Sequence, residues 1–155
     1  MGVASMSLYS LLLTVHIISA IVGVGPGFIL ILVVKKATTM TELRHAYIIR
    51  KRIHVFVVAG GTLLLITGLA MGALRPYLFS QGWFVLSLLL FLIALAIGPM
   101  ILSPKLAPIK VLLKEHKGES IPKAYDEAVK KLFFHERIEL AILFIVILLM
   151  ILKPF

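Results

Sequence analysis

LLLTVHIISAIVGVGPGF (Leu11–Phe28) holds one titratable side chain, the imidazole of His16, among apolar and small residues. It lies inside a longer apolar run, Leu8–Val34. A bilayer's hydrocarbon core, about 30 Å thick, is crossed by about 20 apolar residues in a helix. This run suffices. Three more follow at Ile53–Leu74, Trp83–Leu102 and Ile138–Leu152. The last is short, and the helical pattern before it supplies the missing length. The reading is an all-α membrane protein, a four-transmembrane-helix bundle forming one domain over residues 1–155. Its spans are expected at about 8–34, 53–74, 83–102 and 135–152, with cytoplasmic loops at 35–52 and 103–134.

Composition agrees. The 155 residues are 61% hydrophobic with a mean hydropathy of +1.09, whereas about half the residues of a soluble domain are apolar. The absence of cysteine excludes disulfides, thiolate metal sites and cysteine nucleophiles. Any metal or haem must therefore be held by histidine, methionine or carboxylate. The net charge of +9 is explained by membrane topology rather than by nucleic acid, which is not expected as a partner. The start MGVASMSLYS lacks a basic region, so a cleavable signal is not expected. Met6 stands where a myristoylation signal wants Ser or Thr.

Of the 16 Lys and Arg residues, 14 fall in the loops after spans one and three, and only Arg75 and Lys153 lie on the other side. The positive-inside rule then places both long loops in the cytoplasm and both termini outside. The expected setting is the inner (plasma) membrane of a bacterial cell. Tyr9, Tyr77 and Trp83 fall at the outer boundary, where aromatic belts form.

Along the chain, Gly23-Val24-Gly25-Pro26-Gly27 predicts a kink in span one, because proline withholds a backbone donor. The second helix is expected to begin in the cytoplasm with Thr41 as N-cap and Glu42 in its first turn, and to end near Arg75-Pro76. Span three is expected to end around Gly98–Pro104 at its prolines. The spacing of Leu106, Ile109, Leu112 and Leu113 among lysines predicts a short amphipathic helix on the inner surface. The last helix is expected over Pro122–Leu152.

Helical phase aligns His16 with Ala20, Gly23 and Gly27, and His54 with Gly61, Gly68 and Gly72. Small residues admit close neighbours, so both stripes are expected to face other helices. At 1.5 Å per residue, His54 and His135 lie about 30 Å and about 27 Å from the outer ends of their spans. Two histidines at one depth suit bis-histidine haem ligation, and imidazole also binds copper or zinc. The plainer reading is solvated histidines beside ion pairs among Arg50, Arg52, Glu136 and Glu139. Glu139, four residues beyond His135, is open to pairing with Arg50 or Arg52 or to proton exchange with His135. His16, about 13 Å below the outer boundary, is a candidate axial ligand, proton relay or quinone partner. The alternative is a neutral ring bonded to a carbonyl, Thr62 or Thr67. His45 and His116 lie in the basic loops, and nothing matches a nucleotide-binding or hydrolase motif.

LLLTVHIISAIVGVGPGF (Leu11–Phe28), RKRIHVFVVAGGTLLLITGLAMG (Arg50–Gly72) and GWFVLSLLLFLIALAIGPM (Gly82–Met100) together resemble a bacterial family of small integral membrane proteins, domain of unknown function 2269. More distantly the layout is similar to CopD-type copper-resistance domains and HemJ-type protoporphyrinogen oxidases, a likeness that implies haem, copper or porphyrin chemistry. Only His16 matches their first-span histidine. Three functions follow: a redox protein holding haem b or copper through His16, His54 or His135; a non-catalytic subunit or assembly partner, with a membrane protein or a second copy as its partner; and a small oligomeric transporter along the Gly25-Pro26-Gly27 break.

Overall fold

The first apolar run breaks where proline predicts it. In the computed structural model, which describes residues 7–154, α1 (Leu8–Val24) and α2 (Gly27–Lys35) are parted by Gly25-Pro26. The Gly25 N–H still reaches Ile21 O at 3.2 Å, so the axis bends rather than stops. Ser7 caps α1, its Oγ accepting from the Ser10 N–H at 3.2 Å. The Met1–Gly2 start and Met6, read above against a lipidation signal, lie outside the described residues.

α3 (Met40–Leu74) is 35 residues long. Its N-cap is Thr39, not Thr41. Thr39 Oγ1 accepts from the Glu42 N–H at 3.2 Å, and the Glu42 carboxylate accepts from the Thr39 N–H at 3.4 Å. This reciprocal box satisfies two otherwise orphaned donors. Thr41, already inside the helix, donates its hydroxyl to Glu119 Oε1 at 2.6 Å. The Thr38 N–H and hydroxyl also donate to Glu42, at 2.8 Å and 2.9 Å. Those bonds, the backbone one first, hold the Glu42 carboxyl below the usual carboxylate range.

A 3-10 turn, Pro76–Ser80, leads to α4 (Gly82–Ile97). Span three does not end at its prolines. A π-helical turn, Gly98–Leu102, carries α4 directly into α5 (Ser103–Glu115), with the Ser103 N–H bonded to Gly98 O five residues back. The wider turn makes room for the rings of Pro99 and Pro104, which an ordinary turn would press against earlier carbonyls. The expected separate amphipathic helix is thus the end of one 34-residue helix, Gly82–Glu115. α6 (Lys123–Leu152) starts just after Pro122 and closes at Lys153, which is left-handed at φ 44°.

Among the described residues there are helices and no strands. Three helical stretches, Leu8–Lys35, Met40–Leu74 and Gly82–Glu115, are long and apolar enough to cross a membrane. By length and composition the fourth expected crossing, in α6, falls short of that measure. α6 carries Glu136, Arg137 and Glu139, and Leu140–Leu152 beyond them covers only about 20 Å at 1.5 Å per residue.

The largest core sits at the basic end, formed largely by segments that read as loops. Met40, Leu43, Ile109 and Leu132 are fully buried there, joined by Ile31 and Val34 from α2 and by Tyr125, Val129 and Phe133 from α6. Besides the Thr41–Glu119 bond and one from Arg44 Nη2 to His116 O, two more tie α3 to the end of α5 and the connection after it. The Met40 N–H donates to Glu119 O at 2.9 Å, and Arg44 Nε donates to Leu113 O at 2.9 Å. Towards the other end the helices pair off, α1 on α3 and α4 on α6. The first pair touches backbone to backbone. A Cβ on Gly60 would stand 2.4 Å from Gly23 Cα, and one on Gly23 would stand 2.8 Å from Gly60 C.

Candidate functional site

The two helix pairs approach each other less closely than their members do. At mid-depth Val24, Leu64 and Phe91 bridge them in a small apolar cluster. Beyond that cluster, towards the chain ends, a cavity of about 640 Å³ opens, lined by residues of α1, α3, α4 and α6. A pocket of a few hundred cubic ångströms, mostly apolar with a few polar groups, has the character of a small-molecule site. Two of its lining residues, Ile21 and Ile151, are 68% and 70% exposed, so it opens sideways between α1 and α6. At the rim the Arg75 guanidinium lies 3.6 Å from the Tyr9 ring centroid, and Lys153 Nζ lies 5.3 Å from that of Trp83.

His16 lines this cavity. Its Nδ1 stands 2.7 Å from Thr67 Oγ1 on α3, one of the partners the sequence allows. The stripe that carries it faces inward as expected. A Cβ on Gly68 would lie 3.4 Å from His16 Cε1, and one on Gly27 would lie 3.2 Å from Leu140 on α6. The imidazole thus packs over the open face of Gly68.

The second stripe is inward only in part. Gly61, Gly68 and Gly72 are buried, but His54 is exposed, and no α3 residue from Lys51 to Ala59 is buried. A stripe faces a partner only where a partner covers it, and the buried part of this one begins at Gly60. His135 is half-buried, its Nδ1 bonded to Lys131 O of its own helix at 2.8 Å. No hydrogen bond joins it to His54 among the described residues. Among the described residues no group of three or more His, Cys, Asp or Glu side chains gathers as a metal ion would need. These donor sets lend no support to haem or metal ligation.

The charged candidates resolve into one buried ion pair. Arg50 and Glu136 are paired through Nη2 and Oε1, their side chains 11% and 7% exposed. Glu139 lies one turn further along α6 and is half-buried, whereas Arg52 is exposed. Below the pair the Tyr47 and Tyr125 hydroxyls stand 3.5 Å apart with their rings edge to face. Burial pushes the Tyr125 hydroxyl well above its ordinary range. This cluster locks α3 to α6 at the edge of the basic-end core.

Sequence reasoning missed Ser87. It is the only hydroxyl-bearing side chain in Gly82–Gly98, and that isolation is a readable signal in an apolar helix. It lines the cavity.

Long apolar helices, a core of small-residue contacts and a basic end define an integral membrane protein. The chain belongs to the family described as predicted integral membrane protein, domain of unknown function 2269, whose model matches residues 10–154. Comparison with curated proteins and with solved structures found no match.

Proposed function

We propose that this protein crosses the membrane four times, with both termini outside, and binds a lipid-soluble small molecule in the cavity between its helix pairs. The cavity is the observation that carries this reading: about 640 Å³, apolar, and open sideways between α1 and α6. In a bilayer such an opening faces acyl chains, so a ligand enters without passing through water. α6 supports a fourth crossing by its packing. Its first half joins the basic-end core with Ile109, and its second half brings Leu143, Val146 and Ile147 against the Phe91 cluster. It therefore runs back alongside the long Gly82–Glu115 helix. The concentration of Lys and Arg at the basic end puts that end in the cytoplasm.

Trp83 is the only tryptophan in the chain and lines the cavity. Decylbenzene, titrated into the protein in lipid nanodiscs, is expected to change Trp83 emission saturably. Ala20→Phe, which fills the cavity, is expected to abolish that saturation. A linear response in both proteins would mean that the probe only partitions into lipid, and the reading would fall.

A further inference from the structure

Arg75 and Lys153 are the two basic residues that escape the charge asymmetry of this chain, and both stand at the mouth of the cavity. All Asp and Glu residues lie between Glu42 and Glu139, so no acidic side chain accompanies them at that end. Each rests on an aromatic ring instead. Lys153 Nζ lies 5.3 Å from the centroid of Trp83, and the Arg75 guanidinium carbon lies 3.6 Å from that of Tyr9. Tyr9, Trp83 and Lys153 line the cavity, so the rings fix where the two charges sit. A ring face attracts a cation without neutralising it. Both cations are exposed, so a ligand reaches them without opening the fold.

The walls of the cavity describe the rest of the ligand. Among the described residues that line it, Lys153 is the only Lys, Arg, Asp or Glu. On α6 the lining runs from Lys153 to Leu143, and on α4 from Trp83 to Phe91. Those are rises of about 15 Å and about 12 Å. Apolar surface therefore extends along the helices away from one charged residue. A long apolar slot with a cation at its mouth is complementary to an alkyl chain that ends in an anion.

Resting on the cavity reading above, we infer that the lipid-soluble ligand is a single-chain amphiphile with an anionic head, a carboxylate or a phosphate. The head meets Lys153 Nζ, and Arg75 adds positive potential at the same mouth. The chain lies in the cavity along α4 and α6. Because the cavity opens sideways between α1 and α6, the chain slides in from the bilayer while the head stays at the interface. No charge has to cross the hydrocarbon. A neutral or cationic head gains nothing from Lys153.

Four probes with one dodecyl chain test this by Trp83 emission in phosphatidylcholine nanodiscs: dodecanoate, dodecyl phosphate, dodecanol and dodecyltrimethylammonium. Affinities are compared as mole fractions in the lipid, so that partitioning cancels. In mildly alkaline buffer, which ionises the carboxylic acid, at least one anion is expected to saturate at about tenfold lower mole fraction than dodecanol, as for a charge-assisted contact. The tighter of the two anions identifies the head. Dodecyltrimethylammonium is expected to bind more weakly than dodecanol. Lys153→Gln is expected to weaken the preferred anion about fivefold and to leave dodecanol unchanged, which also shows that the variant is folded. Equal affinities for the anions and dodecanol, the result if Lys153 only anchors the helix end at the interface, would overturn the inference. So would tighter binding of the cation, or an unchanged anion affinity in Lys153→Gln. Saturable dodecanol binding alongside any of those results would leave the cavity reading standing. Failure of every probe to saturate would overturn both.

Discussion

The buried charges among the described residues, Arg50 and Glu136, answer each other across two helices. Arg50 on α3 and Glu136 on α6 are both buried and paired, so removing either partner strands a charge. A broken buried pair costs about 3–5 kcal/mol, whereas replacing both partners with apolar residues is often neutral. Arg50→Ala is thus expected to lower the thermal unfolding midpoint sharply, and Arg50→Met combined with Glu136→Leu to restore most of it. Melting in detergent checks this, and a single variant as stable as wild type would contradict the burial. The pair was among the combinations open from sequence, alongside Arg52 and Glu139. Helical phase alone does not choose among side chains one turn apart. His16 was legible in the same limited way, with Thr67 among its allowed partners. His54 was not, because its exposure depends on which helix fails to cover it.

At the scale of elements, helix contacts are set by glycines whose roles cannot be told apart in sequence. Gly60 abuts the backbone of Gly23, whereas nothing lies within 4 Å of a Cβ placed on Gly98. Gly60→Ala is expected to destabilise by about 1–3 kcal/mol, since the backbones of α1 and α3 must separate. Gly98→Ala is expected to be neutral or to stabilise by up to about 1 kcal/mol through helix propensity. Comparing the two melts in one detergent decides it, and the opposite order would mean that α1 and α3 do not pack through Gly23 and Gly60. The kink at Gly25-Pro26 and the turn at Arg75-Pro76 were readable because proline acts locally. Pro99 and Pro104 were misread for a related reason. Whether proline ends a helix or widens one turn depends on packing further along, here the burial of Ile109 in the basic-end core.

For the whole molecule, the proposed orientation is open to a direct test because the chain has no cysteine. Ser80 and Ser120 are exposed at opposite ends. In intact cells Ser80→Cys is expected to react with a membrane-impermeant maleimide, and Ser120→Cys only after permeabilisation. The reverse pattern would invert the topology. The membrane class, the all-helical fold and the charge asymmetry were determined by sequence alone, because burial in lipid demands continuous apolar helices and the charges lie outside them. Tertiary structure decided that the basic segments build the main core and that the helices pair off beyond it. It also decided that His16 lines the cavity left between those pairs, with Ser87 fully buried in its wall. Such features depend on distances between helices, which follow from where glycines permit contact and where Phe84 and Phe91 hold the pairs apart. No periodicity within a single helix records that spacing.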